Sequence, residues 1–246
     1  MRKEGDESRE NGGDVWRRVN QMVLMSAPCS VAVFVDRGFD GGSRQRLEPN
    51  STDTKRVCVV FFGGPDDREA LELGGRMAEH PSVSVTVIRF VEITGMVNHG
   101  DVRTEKSHSL PTRAPLHCER EKELNEAAVT EFQRRSEGSV EYIEKVVDSS
   151  IAEGLLAIGR SGEYELVVVG KGGFPSTIVP ELADQQAEYS ELGPIGDMLA
   201  SSGHDVVSSV LVIQQHHVAH TDGIPGSKKM VQDKDAAEVM ADESSV

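Results

Sequence analysis

The chain has 246 residues, enough for one large domain or one and a half ordinary ones with a substantial core. Its 26 basic residues against 41 acidic ones leave a net charge of -15, which argues against a nucleic-acid or anionic-membrane surface, because phosphate contacts need clustered Lys and Arg. No run of about 18 apolar residues is present to cross a bilayer, and the N-terminus MRKEGDESREN has no apolar core and is not expected to act as a signal peptide.

From Val15 to Ala27 apolar residues recur at roughly helical spacing, Pro28 follows, and Val31 to Val35 is an apolar run: helix, turn, strand. Asp36 to Thr54 is rich in Gly, Arg, Ser and Pro and reads as a linker. A fresh strand starts at Arg56, and Pro65-Asp66-Asp67 has the acidic, proline-bearing character of a helix start. That helix runs through Leu71 and Met77 to His80, where Pro81 stops it. Val83 to Val91 is a strand, and Thr94 to Cys118 reads as a long surface excursion.

Glu119 to Arg135 places Leu124, Ala128 and Phe132 on one helical face, and Val140 to Val147 follows as a strand. Asp148 or Ser149 can cap a helix whose Ile151, Leu155 and Ile158 form a stripe. Leu166 to Val169 is a buried strand, a glycine-rich turn and polar excursion follow, and a short helix at Leu192 to Ala200 leads to a last strand, Val206 to Ile213. From Arg56 onward, five strands alternate with helical segments. This is the pattern of an α/β doubly wound domain with a five-stranded parallel sheet, for which right-handed crossovers suggest strand order 3-2-1-4-5. The N-terminal NQMVLMSAPCSVAVFVDRG and the later DMLASSGHDVVSSVLVIQQ share one layout, a partial internal repeat.

The segments APCSVAVFVDRG, RVCVVFFGGPDDREAL, VSVTVIRFV and GFPSTIVPELADQQAEYSELGPIGDMLAS resemble the soluble C-terminal region of plant cation/proton exchangers of the CHX family, in the monovalent cation:proton antiporter-2 group. In that family a membrane antiporter domain precedes a cytosolic region resembling universal stress proteins. The resemblance implies that residues 1–36 are the closing helix and strand of a truncated first unit, 37–54 a linker, and 55–217 a complete universal stress protein-like domain with a surface insertion at 94–118. Residues 218–246 are expected to form a disordered tail. It also implies a chain without the transport machinery, a cytosolic placement beside an endomembrane or plasma membrane, and a partner in the membrane antiporter domain of the parent protein.

Universal stress proteins that bind ATP use a Gly-x-x-Gly turn and a later helix start to hold phosphates. Here the turn offers Gly170, Lys171 and Gly173, which a nucleotide or anion would meet. Three departures weaken that cradle: the long spacer to Gly193, Pro194 without an N–H donor, and Asp197, whose carboxylate would stand where a phosphate should sit. Where binders carry a nucleoside-contacting Asp, this chain has Gly63. The expectation is therefore no cofactor.

Among other candidates, His204, His216, His217 and His220 cluster near the last strand without metal-ligand spacing, though their titration could report proton concentration. Asp66-Asp67 and Glu119 to Glu123 are explained by helix dipoles, and Ser161, Ser176 and Ser190 lack a nucleophile motif. Cys29, Cys58 and Cys118 are sparse and suit a reducing compartment, with Cys29 and Cys58 expected to be inert, mostly buried thiols. No enzyme is expected. The leading expectation is a cytosolic regulatory module of a potassium or sodium/proton antiporter. Its last strand would be an edge open to self-association, with Val31 to Val35 as the candidate partner strand. The alternative is a free-standing nucleotide sensor of the universal stress protein type.

Overall fold

A computed structural model describes residues 7–39, 54–92, 114–147, 151–172 and 187–216, all within the compact unit Met1–His216. The candidate residue Gly173, most of the surface insertion, Ser176, His217, His220 and the tail 218–246 lie outside the described residues.

In chain order the elements are α1 (Glu7–Ser26), β1 (Val31–Val35), β2 (Lys55–Phe61), α2 (Pro65–Ala78), β3 (Val83–Glu92), α3 (Ala114–Arg135) and β4 (Val140–Val147). There follow α4 (Ile151–Arg160), β5 (Leu166–Gly170), α5 (Gly193–Ala200) and β6 (Ser209–Gln214). Helix α3 starts at Ala114, so residues 114–118 of the expected excursion belong to it. Short 3-10 turns at Ser190–Leu192 and Ser202–His204 flank α5.

Among the described residues the sheet has six strands in the order β1-β6-β5-β2-β3-β4. Strands β2 to β6 are mutually parallel and carry the expected 3-2-1-4-5 order when counted from β2. The sheet departs from the expected five strands by one: β1 pairs antiparallel with β6, Val31 opposite Gln214 and Val35 opposite Val210. The last strand is therefore interior, which corrects its reading as an open edge. The edge on that side is β1, whose outer side meets no strand among the described residues.

The two-residue period of the strands sorts the core into two layers. Cys58 and Val60 of β2, Val167 and Val169 of β5, and Val210 and Val212 of β6 face α4 and α5, where they meet Leu155, Ile195 and Leu199. Val57, Val59, Phe61, Leu166 and Val168 face α2 and α3, against Ala70, Leu71, Val129 and Phe132. A strand such as LVVVG, buried at all five positions, suits the middle of a sheet covered on both faces.

Strand β6 begins at Ser209 rather than Val206. Val207 and Ser208 donate their N–H groups to Gly159 O, and the Ser208 hydroxyl donates to Tyr164 O at 2.7 Å, so this segment is tied to the end of α4 before pairing can start. The residues after β1 are equally tied. Asp36 Oδ1 accepts the N–H groups of Gly38 and Phe39. Arg37 donates to the carbonyls of Ser208, Leu199 and Ala200 at 3.0, 2.9 and 2.8 Å. One guanidinium thus closes the last turn of α5 and binds β1 to β6. The expected linker is anchored over these first residues, and residues 40–53 lie outside the described ones.

Candidate functional site

At the C-terminal ends of the strands, β2 turns through Phe62-Gly63-Gly64 into α2 on one face, while β5 leaves through Gly170-Lys171-Gly172 toward α5 on the other. Adjacent parallel strands whose connections part to opposite faces form the switch point where open α/β sheets place ligands. The backbone N–H groups there are the donors an anion would use.

Those donors are taken by the protein's own carboxylate. Asp67, 3% exposed, accepts the N–H of Phe62 at 2.7 Å and of Gly63 at 2.8 Å on Oδ2, and the N–H of Gly170 at 3.1 Å on Oδ1. Burial pushes its carboxyl up to about 7, aided by the neighbouring Asp66 charge and opposed by the three amides. Asp66, 5% exposed, accepts the N–H of Gln215 at 2.8 Å on Oδ1. Two consecutive carboxylates at the start of α2 therefore connect the ends of β2, β5 and β6. The favourable dipole expected of this acidic pair explains its position in the helix, but burial and long-range bonding go further than a solvated first turn.

Glycine at 170 is a steric requirement: a Cβ there would lie 2.1 Å from Asp67 Oδ1 and 2.8 Å from Asp67 N. Lys171 does not point its ammonium into the crevice. Its Nζ donates to Gln214 Oε1 at 2.8 Å and its backbone N–H to Ile213 O at 2.8 Å, while Gln214 Nε2 donates in turn to Leu24 O of α1. Gly193, at φ +71, lets α5 start against the Lys171 carbonyl, which would stand 2.0 Å from a Cβ. Of the three residues singled out for an anion, the structure places Gly170 and Lys171 at the switch point with these donors engaged.

The flanking expectations resolve differently. Asp197 is buried and accepts the N–H of Tyr189 through Oδ1, so it closes the turn before α5 rather than standing free at the helix start. Asn125 of α3 fills the space at Gly63, where a Cβ would come within 2.5 Å of its Nδ2, and its Oδ1 accepts the Gly64 N–H at 3.0 Å and Arg68 Nη1 at 2.6 Å. Arg68 also pairs with Glu121 at 2.8 Å. The carbonyl of His204 accepts Arg160 Nε, and His216 is exposed. Among the described residues no group of three or more His, Cys, Asp or Glu is placed to hold a metal. Cys58 is buried, its thiol pushed up to about 12 by burial, but Cys29 is exposed in the turn between α1 and β1, which corrects the expectation that it is buried.

Arg37, Asn125 and the bonds of Asp67 were not singled out from the sequence. The signals available were VDRG at the end of an apolar run and the acidic pair after GGP. Neither names a partner, because Arg37 reaches residues more than 160 positions away and Asp67 one 103 positions away.

The fold is thus a doubly wound α/β unit with its switch point filled by its own acidic side chains. The family described as plant cation/H(+) antiporter, C-terminal domain, matches residues 54–214. Cation/H(+) antiporter 20 of Arabidopsis thaliana is 49% identical over 230 residues, covering 89% of this chain and 27% of that protein. Cation/H(+) antiporter 15 of the same organism is 37% identical over 216 residues, covering 86% and 26%. The universal stress protein UspA from Lactobacillus plantarum, a solved structure, is similar over 65% of this chain and 98% of its own at 14% identity and a TM-score of 0.38. The chain belongs to the family of plant cation/H(+) antiporter C-terminal domains. It spans about a quarter of the length of these curated relatives, and no helix among its described residues is long and apolar enough to cross a membrane.

Proposed function

We propose that this chain is the regulatory domain of a monovalent cation (K+ or Na+):proton antiporter, lying on the cytosolic side of the membrane and acting on a transport domain that it does not itself contain. The observation that carries the proposal is the family match over the whole α/β unit, at 49% identity to a cation/H(+) antiporter. The filled switch point supports a non-catalytic role, because the donors that would bind a substrate phosphate are spent on Asp67 and the Lys171 ammonium on Gln214.

The surface for the partner is the β1 side. Trp16 and Met22 of α1 are each 69% exposed, and Trp16, Val23, Val31, Val33 and Phe34 line a groove of about 370 Å³ along the outer strand. An edge strand with apolar flanks invites pairing, so contact with the parent protein or self-association runs through β1 rather than β6.

Deleting the segment Arg56 to Gln215 from a full-length exchanger and measuring cation-dependent growth tests the regulatory role: altered transport with unchanged sorting is expected, and unchanged transport would sink it. Calorimetric titration of the chain with ATP and AMP separates this reading from a nucleotide sensor. Binding no tighter than about millimolar, roughly 4 kcal/mol, is expected; a micromolar constant would establish the sensor instead.

A further inference from the structure

Asp67 is a buried carboxylate that serves no chemistry in the function proposed above, yet it ties the end of β2 to Gly170 at the end of β5, 103 residues from Asp67 itself. We propose that Asp67 is a proton-binding site that operates as a staple: ionised, it holds the Gly170 turn against the start of α2; protonated, it releases that turn.

The geometry decides where the proton goes. Oδ2 accepts two N–H groups at 2.7 and 2.8 Å, whereas Oδ1 accepts one, that of Gly170, at 3.1 Å. A proton taken from water therefore settles on Oδ1. As a neutral hydroxyl oxygen, Oδ1 is a much weaker acceptor than a carboxylate oxygen, so the 3.1 Å bond from the Gly170 N–H gives way while the two shorter ones on Oδ2 persist. No slack absorbs the change, since Gly170 lies so close that even a methyl group there would overlap Oδ1. The release passes along the turn, because the next carbonyl, that of Lys171, is in close contact with Gly193 at the start of α5. The ends of β2 and β5 thus share one titratable contact, and the start of α5 lies against the same turn.

Few other charges bear on it. Asp66 on the same helix raises the proton affinity, and burial places the midpoint at about 7. From β2, Phe62 and Gly63 contribute only amides. From the β5 side, Lys171 is directed to Gln214. From α3, Glu121 and Asn125 are engaged by Arg68. The end of β6 offers Gln215, bonded to Asp66, and the exposed His216. Any use of this switch to regulate transport rests on the antiporter reading above, whereas the switch itself is a property of this chain alone.

The test is a carbon-13 NMR titration of the 246-residue chain, following the Asp67 carboxyl carbon and the exchange of the Gly170 amide from pH 8.5 to 5.5. The expected carboxyl midpoint lies within about a unit of 7. The Gly170 protection factor, corrected for intrinsic exchange, should fall roughly tenfold between pH 8 and pH 6, tracking the protonated fraction. Asp67→Asn, which carries an NH2 donor in place of one oxygen, should show low Gly170 protection at every pH. A carboxyl that remains ionised below pH 5, or one that titrates while Gly170 stays protected, overturns the proposal. So does a folded Asp67→Asn chain that keeps the wild-type pH dependence; if that variant does not fold, the wild-type titration decides alone. These outcomes are independent of the exchanger deletion, so the switch and the regulatory reading can fail separately.

Discussion

Replacing Gly170 by alanine tests the central contact of the switch point. The added methyl carbon would stand 2.1 Å from Asp67 Oδ1, 2.8 Å from Asp67 N and 2.9 Å from the Asp66 carbonyl carbon. The last two are backbone atoms of the first turn of α2 and cannot swing aside as a flexible side chain would. Strand β5 must therefore part from α2, and the Gly170 N–H to Asp67 bond at 3.1 Å breaks. Overpacking of a close-packed site costs about 1–3 kcal/mol, and losing a hydrogen bond to a buried charged group about 1.5–3 kcal/mol. Their sum is about 2.5–6 kcal/mol, reaching the diagnostic end for a single substitution. Urea unfolding at about pH 8.5, where Asp67 is ionised, followed by circular dichroism measures this directly, provided the m-value is unchanged. Gly203→Ala is the control: its Cβ meets nothing within 4 Å, and a change below about 0.5 kcal/mol is expected. A Gly170→Ala chain within about 1 kcal/mol of wild type would show that Asp67 does not hold β5 against α2.

Two further outcomes follow from the same contacts. Arg37→Ala removes the donor to the carbonyls of Leu199, Ala200 and Ser208 and should cost about 2 kcal/mol in the same urea assay; Arg37→Lys should recover little, because an ammonium lacks the planar fork that spans these oxygens. Stability against pH should carry the mark of Asp67. Its carboxyl is raised from 3.8 to about 7, so the folded chain holds this proton more tightly than the unfolded chain between those values. The net proton-linked contribution, in which the burial cost of the charge outweighs the Gly170 hydrogen bond that ionisation restores, is fully present below about 4 and is lost as pH rises through 7, with a mid-range slope of about 1.4 kcal/mol per pH unit. Several exposed carboxylates, such as Glu72 and Glu126, are lowered by arginine partners and act in the opposite sense at acid pH. The difference between wild type and Asp67→Asn isolates the one group, and a flat difference curve between pH 4 and 7 would refute the assignment.

Much of the sheet is legible because its causes are local. Runs such as VCVVF and LVVVG are apolar at every position, and only a strand covered on both faces can bury all of them. Helix–strand alternation then leaves parallel pairing with right-handed crossovers as the natural arrangement. The boundaries that moved are those set by distant groups. Gly159 and Tyr164 hold Val207 and Ser208 out of β6. Serine 209 and the carbonyls around α5 anchor Arg37 where composition suggested a linker.

The site was less legible than the sheet. Gly170 and Lys171 stood out as a turn after a buried strand, and they do lie at the switch point. Nothing in their neighbourhood along the chain shows that the donors are already used, since the acceptor of the Gly170 N–H belongs to a helix start 103 residues earlier. The pairing of Val31–Val35 with the last strand was accessible as a candidate from apolar pattern and repeat. Whether it would occur within one chain depended on the path between the strands, and the structure places it within.

The sequence by itself determined the family, the α/β class and the strands that fill the core, because these depend on residue order and on apolar periodicity. Tertiary structure alone decided that β1 covers β6, that Arg37 clasps α5, and that Asp67 accepts the amide donors at the switch point. Each of these is a contact between groups far apart in the chain. A carboxylate's partners and proton affinity are set by what folding buries around it, not by its neighbours in sequence.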